Sequence, residues 1–337
     1  MSRIAALAIA AMAVLALAVA PALAKPSPKL GRTVVVRATD GQPTIKSPHK
    51  KRMKLKRGKA VAIPVGSTID VTYGQVSLTS ARLGGGTQSG EFSKGAFVVT
   101  QDKSTDLTNL TLAGGSLSKC PAPSARPLSA LGTQVSAARS HGRRLFGRAH
   151  GHFRTRGRSS SATVRGTEWL TEDTCSGTVT DNMSPNTTSK VSTDSGKLHF
   201  DLDPGQTITY YCNKLRIEPD TYCIMLIAYP DQGVIAGGIL TQIDVSSYGF
   251  CVKAPSGQGG CTQQPLPLTD KDEHGFRQGV FACPVRQVGS FLFGWSLDNF
   301  QTFLFPALSL TLNVEGPNEN CQTIPATDTP IAKLVPR

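Results

Sequence analysis

The chain has 337 residues, 39% of them hydrophobic, eight cysteines and a formal net charge of +13. Its length suits about two domains. Eight cysteines without a single C-x-x-C pair disfavour a zinc-built fold and suit a disulfide framework made in an oxidising compartment.

Charge is unevenly placed. Residues 25–165 hold 25 Lys and Arg against five Asp and Glu, a balance of +20, whereas residues 166–337 hold 10 against 18, a balance of −8. A half so basic is expected to face a polyanion, and the two halves are expected to attract each other.

The first 24 residues begin "MSR", continue as an apolar run and end Ala22-Leu23-Ala24. That is a signal-peptide pattern, so export with cleavage before Lys25 is expected. No later apolar run approaches the ~20 residues a membrane helix needs, so no transmembrane segment is expected after cleavage.

A short linker, "KPSPKLG", leads to "RTVVVRA", a valine-rich first strand. Residues 46–59, "KSPHKKRMKLKRGK", then carry eight Lys and Arg and no acid. One reading is an edge hairpin whose lysines block unwanted strand pairing. The other is a site for an anionic polymer or membrane surface, with charge from Lys50, Lys51, Arg52, Lys54, Lys56 and Arg57.

Downstream, Ile69, Val71 and Tyr73 alternate with polar residues, Gly74-Gln75 offers a tight turn, and Val76 and Leu78 resume the alternation. The pattern predicts a hairpin with one buried face. Residues 83–101 and 105–115 continue as short strands between glycine turns. The Gly84-Gly85-Gly86 run lacks the Gly-Lys-Ser/Thr and helix of a phosphate loop.

Residues 121–158 read as a surface excursion, rich first in Pro, Ala and Ser and then in Arg. No acid occurs from residue 107 to residue 167. Arg143, Arg144, Arg148, Arg154, Arg156 and Arg158 form the second candidate set for an anionic surface.

Residues 160–180, "SSATVRGTEWLTEDTCSGTVT", resemble the core of a FecR-like domain. The step Val164-Arg165-Gly166-Thr167-Glu168-Trp169 and the turn Ser176-Gly177 carry that resemblance. Residues 63–81 resemble the family's earlier strand and hairpin, and residues 196–212 its closing strand, with Pro204-Gly205-Gln206 as the turn. The arrangement is similar to that of secreted proteins of high-GC Gram-positive bacteria, where a basic Arg-Thr-Arg-Gly-Arg stretch is framed by two cysteines, here Cys120 and Cys175.

Residues 181–195 depart from this pattern. They form a polar Ser/Thr/Asn segment where relatives place a basic strand, so a ligand role of that strand does not carry over. The resemblance spans about residues 30–212. It implies a non-enzymatic β-rich module, sometimes used in envelope signalling, and a Cys120–Cys175 bridge.

Residues 213–325 read as a second unit, a disulfide-stapled β-sandwich of six or seven short strands, followed by a disordered tail over 326–337. Leu308, Leu310 and Leu312 alternate with Ser309 and Thr311 as in a half-buried strand. Eight cysteines allow 105 pairings. The sequence-near pairs Cys212–Cys223 and Cys251–Cys261 suit closure across hairpins, which with the implied bridge leaves Cys283 for Cys321. The whole chain is expected to be all-β.

Signatures of catalysis are sparse. Neither G-x-S-x-G nor H-E-x-x-H occurs. Residues 270–275 begin like a calcium loop, but Phe281 stands where the bidentate glutamate belongs. His150 and His152, two apart on one expected strand face with His141 nearby, could supply metal nitrogens, but seven neighbouring arginines repel a cation. No metal or cofactor is expected.

Asp201 and Asp203 could form the acid pair of a wall-polysaccharide hydrolase. Such carboxylates usually come from different elements around a cleft, so solvated strand residues are the favoured reading. Phe291, Phe293 and Trp295 suit a sandwich core better than a sugar-stacking platform.

The expectation is therefore a secreted, non-enzymatic envelope protein. Its partners would be anionic wall polymer or the membrane surface, together with other envelope proteins. Nucleic acid is disfavoured, because the basic stretches hold few aromatics to stack bases. A hydrolase and an envelope signal sensor are the alternatives.

Overall fold

The computed structural model describes residues 26–117, 143–174, 177–185, 189–195 and 198–212, and then 222–229, 234–242, 249–253, 259–261, 270–271, 277–284, 289–296, 308–312 and 322–324. Among the described residues there are strands and turns but no helix, so the fold is all-β, as composition and alternation predict.

Strands β1 to β9 are Thr33–Gly41, Thr44–Lys46, Met53–Lys54, Ala60–Pro64, Thr68–Asp70, Gly74–Ala81, Thr87–Ser93, Ala96–Gln101 and Thr108–Ala113. Strands β10 to β17 are Arg143–His150, Phe153–Arg156, Ser161–Val164, Thr167–Thr174, Gly177–Asn182, Val191–Ser195, Leu198–Leu202 and Thr207–Cys212. Strands β18 to β25 are Tyr222–Tyr229, Val234–Thr241, Gly249–Lys253, Gly259–Cys261, Arg277–Pro284, Gly289–Ser296, Leu308–Leu312 and Gln322–Ile324.

They form three sheets. Sheet A has the order β25-β22-β19-β18-β17-β14-β13-β10-β7-β6-β1-β4, sheet B the order β16-β15-β12-β11-β9-β8-β5-β2-β3, and a four-stranded sheet the order β21-β20-β23-β24. The first two face each other, and up to β17 the chain crosses between them after every one or two strands. Their inner faces share one continuous core, from Val34 to Met225. Its centre is aromatic. Phe92 of sheet A lies 5.6 Å and 5.7 Å, ring to ring, from Phe97 and Phe153 of sheet B, and its ring meets Trp169 edge-on at 6.2 Å. Gly90 and Gly147 leave room for these rings, since a Cβ at either would stand 2.7 Å from Phe92 or Trp169.

The alternation over residues 69–78 marks the buried face correctly, because Ile69, Val71, Val76 and Leu78 are all buried. The expected hairpin is not formed. β5 pairs with β2 and β8 in sheet B, while β6 pairs with β1 and β7 in sheet A. The turn carries the chain across the core, and Tyr73 is left 89% exposed at its corner. Alternation reports which side of a strand is buried but not which sheet the strand joins, because both sheets bury one side against a common core.

The expected excursion over residues 121–158 is also corrected in its second part. β10 lies inside sheet A between β7 and β13, and β11 lies inside sheet B between β9 and β12. Leu145, Ala149 and Phe153 are fully buried. Arginines at alternate positions do not prevent a strand; they place charge on its outward side. Residues 118–142 lie outside the described part.

Sheet A spans the expected boundary after residue 212. β17 pairs with β18, and Met225 belongs to the common core. A disulfide joins Cys251 to Cys261 between β20 and β21. Cys212 and Cys223 stand opposite each other in the β17–β18 register. Cys120, Cys175 and Cys321 lie outside the described residues, as does the 326–337 tail. No described helix is long and apolar enough to cross a membrane.

Candidate functional site

The basic segment 46–59 is built onto the open side of the sandwich. β3 is the last strand of sheet B and β4 the last of sheet A, so the segment passes from one edge to the other. Its fixed points are apolar or backbone. Ile45 and Leu55 are buried, Leu55 N–H donates to Pro43 C=O at 2.8 Å, and Gly58 N–H donates to Ala38 C=O at 2.8 Å. Between these anchors Lys46, Lys50, Lys51, Arg52, Lys54, Lys56, Arg57 and Lys59 are all exposed. Arg52 reaches Asp70 at 3.6 Å, and that is the one ion pair of the segment among the described residues. Edge protection and anion attraction therefore occupy the same place, because like charges gathered on an exposed rim do both.

The arginines of residues 143–158 are not gathered into one surface. Arg144 and Arg148 point outward from sheet A, whereas Arg154 and Arg156 point outward from sheet B on the far side of the molecule. Arg148 Nε donates to Glu168 Oε1 at 2.6 Å, with Nη2 against the same oxygen, and Glu91 stands opposite Arg148 on the other neighbouring strand. Arg144 is paired in register with Glu172. Burial raises the Glu172 pKa, the Arg144 charge pulls it back, and Asp181 and Asp173 push it further up. Burial likewise raises Asp181, against a hydrogen bond from Thr207.

Arg143 and Arg158 are turned toward structure. Arg143 stands opposite Asp173 at the end of β10, half-buried, with its Nε sequestered from solvent. Arg158 N–H donates to Asp173 Oδ1 at 2.7 Å, and its Nη2 reaches Thr174 C=O at 3.4 Å.

On sheet B, Arg154 Nε donates to Thr163 Oγ1 at 2.9 Å, and Arg156 is exposed. The acids Glu91, Glu168 and Glu172 thus decide which arginines stay available, and sequence reasoning passed over them. They lie far from the arginines along the chain, and only strand register brings them together.

The histidines do not share a face. His150 ends β10 on the outside of sheet A, Gly151 turns the chain at φ 118°, and His152 Nδ1 lies 3.1 Å from Asp106 Oδ1. His141 lies outside the described residues. No group of three or more metal-ligating side chains occurs among the described residues.

Asp201 and Asp203, on either side of the buried Leu202, have different partners. Asp201 Oδ1 accepts from Ser192 Oγ at 2.5 Å, whereas Asp203, past the end of β16, lies 3.6 Å from Lys190 Nζ. Asp270 is exposed. The side chains of Phe291, Phe293 and Trp295 lie outside the described part.

Comparison of the chain with protein-family models, with curated proteins and with solved structures returns no match.

Proposed function

We propose that the chain is a secreted, non-enzymatic envelope protein that holds anionic polymer of the cell surface through its basic rim. The observation that carries this reading is the fixed segment 46–59, whose eight exposed cations meet a single paired acid. The signal-peptide pattern and the resemblance of residues 30–212 to FecR-like domains support an extracytoplasmic, binding role. Asp201 and Asp203 each face a different partner, which favours binding over the hydrolase alternative.

Such attraction is long-ranged and is screened over ~8 Å at physiological salt. The secreted chain should therefore co-sediment with anionic wall material at low salt and be released as salt rises. Replacing Lys50, Lys51, Arg52 and Lys54 together with glutamine should shift release to lower salt. Binding that ignores salt, or that survives the quadruple replacement unchanged, would refute the reading.

A further inference from the structure

The two outward faces of the sandwich differ in charge pairing. On sheet A, one cross-strand row reads Glu168–Arg148–Glu91–Ser77–Arg37, and beyond the Phe146–Leu170 row a further row pairs Glu172 with Arg144. Each arginine of β10 therefore has a carboxylate beside it, and this face is internally balanced.

On sheet B, the corresponding row reads Ser192–Thr163–Arg154–Asn109–Thr100. Its neighbour reads Ser161–Arg156–Thr111–Val98–Thr68–Lys46. Between β12 and β2 these rows hold no carboxylate; on β15 the second row continues onto Asp194, which stands in register with Ser161. Asp70 lies one row further along β5 and is held by Arg52. Asp201 lies beyond β15 and accepts from Ser192.

We propose that the outward face of sheet B is a track for an extended acidic glycan, which enters at the basic rim and runs across β2, β5, β8, β9 and β11. This rests on the anionic-polymer reading above and gives that polymer a class and a path. From Lys46 to Arg156 the track crosses four strand spacings of about 4.8 Å, or roughly 19 Å, the length of a few sugar units.

Chemistry selects the occupant. Thr68, Thr111, Asn109 and Thr100 offer hydroxyl and amide groups of the kind that hydrogen-bond sugar hydroxyls. Arg154 and Arg156 offer planar forks that match a carboxylate. Arg154 is already oriented by its bond to Thr163.

The large exposed apolar side chains lie elsewhere. Tyr73 and Leu83 are on turns, Met183 follows β14, and Met53 is on the β3 rim. A protein partner or a bilayer would call for apolar anchors within the face, whereas a glycan does not.

The test uses the secreted full-length chain and polygalacturonate as the probe, with anionic phospholipid vesicles as a second arm. The R154Q/R156Q variant should lose about tenfold in affinity for the polyuronate, while R144Q/R148Q on the balanced face stays within about twofold of wild type. Asn109→Ala should weaken binding at low and high salt alike, because it removes a hydrogen bond and no charge. Arg156 makes no hydrogen bond among the described contacts, so R156Q alone keeps the test valid if R154Q disturbs the sheet.

Equal losses from both arginine pairs would overturn the track. So would a loss confined to the variant lacking Lys50, Lys51, Arg52 and Lys54, although the anionic-polymer reading would then stand. Vesicle binding with no polyuronate binding would overturn it in favour of a membrane. Failure of the wild-type chain to bind any polyanion at low salt would overturn both.

Discussion

The indole N–H of Trp169 donates to Thr155 Oγ1 at 3.1 Å, joining β13 of sheet A to β11 of sheet B through the middle of the core. Thr155 Oγ1 also lies 2.7 Å from Thr171 Oγ1, and all three side chains are buried. One hydroxyl thus satisfies two polar groups that have no access to water.

Thr155→Val keeps the shape and removes that hydroxyl, so an indole N–H and a threonine hydroxyl are left without it. Each orphaned group costs about 1–3 kcal/mol, so the variant should unfold at clearly lower urea with an unchanged slope. Thr155→Ser should recover most of the loss. A Val variant as stable as the wild type would mean that the bond does not join the sheets.

Gly147 tests the packing beside it. A Cβ there would stand 2.7 Å and 2.8 Å from two carbons of the Trp169 ring and 3.1 Å from Phe92. The indole cannot retreat without losing Thr155. Gly147→Ala should therefore destabilise the protein by about 1–3 kcal/mol, the usual range for overpacking, although alanine is otherwise the milder residue in a strand. Thermal unfolding checks this, and a shift in tryptophan emission should accompany it.

Asp181 carries a pH-dependent penalty. Burial raises its folded pKa above the ordinary 3.8. A carboxyl raised in this way binds its proton more tightly folded than unfolded, so stability from this group grows as pH falls through the folded pKa and is lost as pH rises above it. Asp181→Asn should therefore raise the melting temperature at pH 7 by about 2 °C. The gain should disappear when the scan is repeated below pH 4. A constant offset at every pH would assign the effect to packing instead.

Much of the fold is legible in the sequence because alternation survives in it. Val34 and Val36, Ile69 and Val71, and Val76 and Leu78 all fall on buried sides. Partnership is not legible, since a strand of given parity serves either sheet equally well. The segment β10–β11 hides for a second reason. Its inward residues include Gly147, Ala149 and Thr155, which carry little hydropathic signal, so its five arginines dominate any window across it.

The candidate site divides along the same line. The rim at residues 46–59 is local and can be read directly. The sorting of Arg144 and Arg148 from Arg154 and Arg156 depends on which sheet each strand joins. It depends also on Glu91, Glu168 and Glu172, and the last two sit in the half of the chain that composition alone assigns an acidic role.

Asp106 gives the last prediction. It has φ 53°, its side chain is 7% exposed, and three connections meet on it. Its Oδ2 accepts from Leu83 N–H at 3.0 Å in the β6–β7 turn, with Arg82 Nε at 3.8 Å. Its Oδ1 lies 3.1 Å from His152 Nδ1 in the β10–β11 turn. Its carbonyl accepts from Gln88 and Gln101, and Gln88 Oε1 accepts from His152 N–H at 2.7 Å. The carboxylate is the acceptor common to two turns that otherwise belong to separate hairpin and crossover connections.

Asp106→Asn keeps the size and the tolerance for positive φ, but one carboxylate oxygen becomes a donor facing donors. The expected cost is about 1–3 kcal/mol. Asp106→Ala loses the side-chain acceptors and adds about 1–2 kcal/mol for a left-handed backbone, so it should rank below Asn in urea unfolding. Amide exchange separates this from a general weakening. Leu83 and His152 should lose protection in the Asn variant while Val99 and Leu110 in the core keep theirs. Uniform loss at all four amides would mean that Asp106 acts on the whole sandwich and not on its turns.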